Sequence, residues 1–301
     1  MIFFPANIKK IAFVALSGPP DIGKVKLGTS FLESNGYEVI IKDSVFKRCS
    51  FSYLASDIST RVSDIHSCWK DTSIDLIIAV RGGYGSAQIL PYIDWNILSK
   101  RRVPFIGYSD LTAFHLGMCA KGVGAAISGP MIQNYQTIKD DSFSLTSLKN
   151  IFNKQQTIYQ APHKKGFIVL KNGLTEGQIY PVTLSVLATL IGTQWMPDMN
   201  GAILLLEDIN EPIYKLDRYF TQLEHTGGLN KISGLLLGNF TKCGSSRERL
   251  NFFKNIAEKI AGPVVINIPF GHAYPRISVA FESICKIDAS AEKANIILYN
   301  Q

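Results

Sequence analysis

"IDLIIAVRGGYG" (74–85) decides the fold. From Leu76 to Val80 no polar residue interrupts the run. A strand with one face in water would alternate, so an unbroken run reads as a strand covered on both faces. The glycines that follow let the backbone turn sharply and leave N–H groups facing outward. Working outward from this strand, "IAFVAL" (11–16) and "YEVIIK" (37–42) read as strands upstream, with "VPFIG" and "VGAAISG" downstream. Between them, "KVKLGTSFLESNG" (24–36) reads as a helix stopped at Gly36. "DISTRVSDIHSCWKD" (57–71) has apolar residues at helical spacing, and "SAQILPYID" starts a helix that Pro91 interrupts. Strands alternating with helices predict an α/β protein built on a doubly wound, mostly parallel sheet.

A second apolar region begins near residue 173. "LSVLATLIG" (184–192) predicts a helix; "AILLLE" (202–207), "SGLLLGNF" (233–240) and "PVVINIPF" (263–270) predict buried strands. Ile213, Leu216, Tyr219, Phe220 and Leu223 mark one face of a helix that starts behind Pro212 and ends at Gly227-Gly228. "SICKIDASAEKANIILY" predicts a closing hairpin. The polar stretch 136–172 lacks sustained periodicity and reads as a linker or crossover. The expected organisation is therefore an N-terminal domain over 1–135, a crossover over 136–172, and a smaller, β-rich α/β domain over 173–301.

Composition narrows the function. Of 301 residues, 46% are apolar and 18% charged, which suits a globular protein with a sizeable core. The formal charge of +7 is dispersed, its densest groups being Lys9-Lys10, Lys100-Arg101-Arg102 and Lys164-Lys165. No nucleic-acid-binding module accompanies it, so no nucleic-acid partner is expected. Five scattered cysteines without a CxxC pair suggest neither zinc nor disulfides and fit a cytoplasmic protein. The opening "MIFFPANIKKIAFVAL" lacks the order of a signal peptide. The uncharged stretch Gly177 to Pro197 carries Pro181, Thr183, Ser185, Thr189 and Gln194, and reads as a buried helix with its flanking loops rather than a membrane span.

Four strand ends carry candidate chemistry, as expected where open α/β sheets bind ligands. "RGGYG" (81–85) suits an oxyanion hole or a phosphate cradle, and equally a plain tight turn. A dinucleotide fingerprint would need glycine where Gln88 stands, so no such cofactor is expected. Ser109, between strand and helix, is placed as a nucleophile elbow would place it, with the Asp110 N–H beside the reacting carbonyl. Leu111 replaces the second glycine of that motif, and serine is also a preferred helix cap. Glu207-Asp208 ends a buried run, where a carboxylate can act as acid or base, hold a metal, orient a histidine, or face water. His272, in "IPFGHAYP", follows the last buried strand. Of the other histidines, His66 and His115 lie on amphipathic helices, His115 as a satisfied core residue. His163 falls in the polar stretch and His225 at a helix end. No short-spaced metal-ligand set occurs in the sequence. Serine, carboxylate and histidine follow in an order used by serine hydrolases.

"AVRGGYGSAQILPYIDW", "IGYSDLTAFH" with "SGPM" after it, "LIGTQWMP", "LLLEDINEPIYKLDRYFTQLEHTGGL" and "IPFGH" together resemble the LD-carboxypeptidases, the murein tetrapeptide carboxypeptidase group of serine peptidases. The likeness runs over nearly the whole chain. It implies a triad of Ser109, Glu207 and His272, and an oxyanion hole from the backbone of Gly83 and Asp110. It also implies substrate contacts from Arg81, Gly82 and Tyr84. The implied activity is metal-independent release of terminal D-alanine from muropeptides in the cytoplasm during wall recycling, by a protein that is often a homodimer and needs no cofactor. A related branch cleaves peptidyl-nucleotide antibiotics, and a muropeptide-binding protein without turnover is a further alternative. One departure stands out: Pro181-Val182-Thr183 replaces the usual Gly-Gly-Asn at the pocket border, where substrate choice can differ.

Overall fold

A computed structural model describes residues 4–159, 166–291 and 293–300; His163, Lys164 and Lys165 lie outside them. Five parallel strands form the first sheet: β1 (Lys10–Val14), β2 (Glu38–Ile41), β3 (Leu76–Ala79), β4 (Pro104–Gly107) and β5 (Ala125–Ser128). The spatial order β5-β4-β3-β1-β2 makes the sheet doubly wound, with its switch between β1 and β3. Both faces of β3 are covered. Ile77 and Ala79 pack among Ile65, Trp69 and Phe114, from the helices Ile58–Lys70 and Thr112–Ala120. Leu76 and Ile78 pack on the other side among Val25 and Leu32 of the helix Ile22–Ser34. The unbroken apolar run follows from this two-sided burial.

The stretch 136–172, read above as a linker or crossover, carries regular structure of its own. It contains the helix Ser142–Phe152 and the strands β6 (Gln156–Tyr159) and β7 (Ile168–Lys171). Leu145, Leu148 and Ile151 of that helix join the same core as Val25 and Leu32. Its apolar positions recur at helical spacing, but Ser142, Ser144, Ser147, Lys149 and Asn150 between them hide the pattern.

The second sheet continues with β8 (Gly173–Thr183), β9 (Ile203–Ile209), β10 (Gly234–Thr241), β11 (Val264–Ile266), β13 (Ile284–Ala289) and β14 (Ala294–Tyr299). Strands β8 to β11 run parallel, and the β13–β14 hairpin adds on antiparallel. The uncharged Gly177–Pro197 stretch therefore begins as strand, and its helix, Leu184–Leu190, is short. Among the described residues no helix is long and apolar enough to cross a membrane.

The two halves interlock. Between β11 and β13 the chain returns to the first sheet as β12 (Val279–Ala280), antiparallel to β5. The Phe281 N–H then donates to Ala126 O at 2.9 Å, and the Glu282 N–H to Ile179 O of β8 at 2.9 Å. One apolar cluster joins the halves as well, running from Phe114 through Leu184 and Leu187 to Leu216 and Leu237.

Leu148 is fully buried. Leu148→Ala is expected to lower unfolding free energy in urea by about 2–5 kcal/mol, the cost of an unfilled core site. A solvated connector would lose less than ~0.5 kcal/mol.

Candidate active site

Three loops meet at the carboxyl ends of β1, β3 and β4, beside the switch point where open sheets collect ligands. The first carries Ser17 and Gly18, the second "RGGYG", the third Ser109. Their packing is close. The Gly18 N–H donates to Gly82 O at 3.2 Å. A Cβ on Gly82 would stand 2.9 Å from Ser109 Cβ and 3.0 Å from its Oγ, so only glycine fits against the serine. Arg61, a fully buried cation, donates from Nη1 to the carbonyls of Leu16 (3.0 Å) and Gly85 (2.9 Å) and braces the glycine turn from behind.

Asp110 ties this turn to the serine. Its buried carboxylate accepts from Ser17 Oγ at 2.5 Å and from the Ser86 N–H at 2.8 Å, while the Ser86 hydroxyl donates to Asp110 O. The Gly83 N–H makes no hydrogen bond among the described residues. Arg81 spends donors on Gly82 O (3.0 Å) and Pro19 O (3.2 Å), and Tyr84 is exposed beside Tyr53.

Ser109 is not a helix cap. It sits at φ +63° in a one-turn 3-10 helix before Thr112–Ala120, and that α-helix has Leu111 at its N-cap with no side-chain bond. A left-handed conformation at a non-glycine residue is strained, and such strain gathers at functional turns. Ser109 Oγ instead lies 3.1 Å from His272 Nε2, and His272 Nδ1 lies 2.7 Å from Glu207 Oε2. The three strand-end residues named from the sequence thus converge.

The histidine's loop is held on several sides. The Asn239 N–H donates to Phe270 O (2.7 Å), the Arg276 N–H to Ser144 Oγ (2.9 Å) and the Ser278 N–H to Ser147 Oγ (2.8 Å). The Tyr108 ring packs edge-on to the His272 ring at 5.2 Å, and the buried Arg276 guanidinium stacks 3.7 Å over the same Tyr108 ring. Gly271 lets the loop approach the glutamate: a Cβ there would stand 2.7 Å from Glu207 Oε2.

The adjacent carboxylates divide their work because successive strand residues face opposite ways. Glu207 faces His272. Asp208 accepts from the Ser185 N–H (2.7 Å), the Ser185 hydroxyl (3.2 Å) and its neighbour's Ile209 N–H (2.9 Å), fixing the start of the helix Leu184–Leu190. Glu207's other oxygen, Oε1, accepts from the Thr183 hydroxyl at 2.5 Å. Among the described residues no cluster of three or more His, Cys, Asp or Glu could hold a metal. His115 is a core residue between the rings of Phe105 and Phe281, and burial pushes its pKa down to about 3.

Sequence reasoning missed Arg61, Ser17 and the role of Thr183. Arg61 acts on backbone carbonyls and Ser17 on the Asp110 carboxylate, both far away in sequence, and neither carries a local signature. Thr183 did leave a trace, as the departure from Gly-Gly-Asn.

Comparison with known proteins identifies the class. Residues 11–129 match the LD-carboxypeptidase N-terminal domain and residues 176–287 the LD-carboxypeptidase C-terminal domain. The chain belongs to the LD-carboxypeptidase family. It is 29% identical to a probable murein peptide carboxypeptidase of Bacillus subtilis, over 95% of this chain and 91% of that protein. It is 31% identical to a murein tetrapeptide carboxypeptidase of Pseudomonas aeruginosa, over 74% and 75%. Among solved structures, a muramoyltetrapeptide carboxypeptidase from Oxalobacter formigenes superposes with a TM-score of 0.84 at 27% identity, covering 96% of this chain and 98% of that one. The microcin C7 self-immunity protein shares the fold, with a TM-score of 0.87 at 23% identity over 99% and 98%.

Burial raises the pKa of Asp208 from 3.8 to about 6, against the pull of its N–H donors. Between those values the native state holds more protons than the unfolded chain, so this group's contribution to stability falls as pH rises through the window. Asp208→Asn removes that term. Melting curves from pH 7 down to pH 4 are expected to show wild type gaining on the variant as pH falls; a constant difference would contradict the assignment.

Proposed function

We propose that this protein is a serine carboxypeptidase that cleaves the LD bond releasing terminal D-alanine from murein tetrapeptides. The observation that carries the reading is the continuous contact Ser109–His272–Glu207, at 3.1 and 2.7 Å, in a chain of the LD-carboxypeptidase family. With Glu207 accepting from Nδ1–H, His272 presents a bare Nε2 to the serine. Ser109 Oγ attacks the carbonyl carbon of the diamino acid while its proton passes to Nε2. The oxyanion falls to the N–H groups of Gly83, which has no acceptor among the described residues, and of Asp110. The amide C–N bond then breaks, D-alanine leaves with the proton from His272, and water repeats the sequence on the acyl-enzyme. A positioned base of this kind contributes roughly 10²–10⁴-fold.

The murein substrate is supported by the names of relatives at 29 and 31% identity. The microcin-immunity likeness, at 23% identity, supports the fold. The family resemblance supports a cytoplasmic homodimer. A non-catalytic muropeptide-binding role would rest on the unusual 181–183 segment, yet Thr183 faces Glu207 with a hydrogen bond rather than disrupting it.

Ser109→Ala is expected to reduce D-alanine release from a murein tetrapeptide by roughly 10³-fold or more with an unchanged melting temperature. Substantial release by the folded variant would rule out the serine mechanism. A peptidyl-nucleotide assayed in parallel distinguishes the two substrate classes.

A further inference from the structure

We propose that Thr183 is a positioning residue for the catalytic couple, setting Glu207 against the nucleophile's helix with both its hydroxyl and its backbone. The proposal rests on the triad reading above and names a residue which that reading does not contain.

Thr183 ends β8 directly opposite Glu207 of parallel β9, and both are buried. Its hydroxyl donates to Glu207 Oε1 at 2.5 Å, while Oε2 faces His272 Nδ1 at 2.7 Å. The glutamate is therefore held at both oxygens. With Oε1 unpaired, the carboxylate would be free to turn about its last torsion, and the histidine would lose the fixed acceptor that sets its tautomer. A β-branched side chain in a strand has few rotamers, so the hydroxyl is already aimed.

The backbone of Thr183 reaches the other half of the site. Its N–H donates to Thr112 Oγ1 at 3.2 Å. Thr112 is the first residue of the helix that follows Ser109. One residue thus touches the carboxylate on one side and the nucleophile's helix on the other, across the two halves of the chain. Asp208 pins the next residue but one, Ser185, and so fixes the strand end from below. Pro181, which has no N–H to give, is buried within the same strand opposite Leu205. The departure from Gly-Gly-Asn therefore forms an intact strand that ends in a functional hydroxyl.

The test uses the full chain with Thr183→Val, Thr183→Ser and Thr183→Cys. Valine keeps the shape without the donor, serine keeps the donor, and the thiol is a weak donor close to serine in size. Two rates are read: D-alanine release from a murein tetrapeptide, split into kcat and KM, and labelling of Ser109 by a fluorophosphonate, which needs no peptide recognition. Val and Cys are expected to lower kcat and labelling by roughly 10- to 100-fold, the loss of one buried hydrogen bond to a charged group, with KM little changed. Ser is expected to restore both to within about 3-fold of wild type, since it keeps the same donor. If Val fails to fold, the Ser–Cys comparison decides. Val or Cys labelled at the wild-type rate, or Ser as slow as Cys, overturns the proposal. Wild type that is labelled but releases no D-alanine refutes the murein substrate, while the labelling series still judges Thr183. Wild type that resists labelling overturns both.

Discussion

The site depends on a short antiparallel pairing. Val279 and Ala280 leave the second half of the chain and lie along Ser128 and Ile127 at the edge of the first sheet. Two residues of strand bury little by themselves, but their neighbours extend the attachment. Arg276 and Ser278 donate to serines of the helix Ser142–Phe152 on one side, and Phe281 and Glu282 tie to Ala126 and Ile179 on the other. His272 sits in the loop that leads into this pairing. A slip of one residue would turn every side chain to the opposite face and carry the imidazole away from Ser109. The Ser109–His272 distance is thus set by backbone register, with the shared apolar cluster making the two halves one body.

Within that frame, close approach governs the choice of residues. Gly82 and Gly271 are the points where a Cβ would press on Ser109 and Glu207 respectively. Around them, buried charges are met by fixed dipoles: Asp110 by Ser17 and Ser86, Arg61 by two carbonyls, Asp208 by Ser185 and Ile209. A buried ion is stable when its partners are in place beforehand, and the same partners leave the reacting groups little to reorganise. Tyr108 belongs to this scaffold too, wedged between the His272 ring and the Arg276 guanidinium.

Much of this was legible in the residues. The apolar run before "RGGYG" gave the parallel sheet because two-sided burial removes alternation, and the strand-end positions of Ser109, Glu207 and His272 pointed at one cleft. The ambiguity of Ser109 needed coordinates, since a cap and an elbow share the same local sequence; its positive φ and its contact with His272 separate them. The helix Ser142–Phe152 escaped because its buried positions alternate with serines that serve as acceptors for the His272 loop. Their polarity reads as solvent exposure until the partner strand is known. Arg61 likewise looks like an ordinary helix-surface cation until the glycine turn folds over it. The pairing of β12 with β5 joins residues about 150 positions apart, and no local pattern encodes it.

The central claim is that one cleft brings a strained serine, a histidine–glutamate couple and the Gly83 N–H to a single peptide carbonyl. A crystal structure of Ser109→Ala with a murein tetrapeptide tests it most directly. The account predicts the scissile carbon within about 3–3.5 Å of where the hydroxyl would stand. It also predicts the carbonyl oxygen on the Gly83 N–H and the departing nitrogen facing His272 Nε2. A peptide seated away from these groups, or one with its carbonyl turned out to solvent, would contradict it.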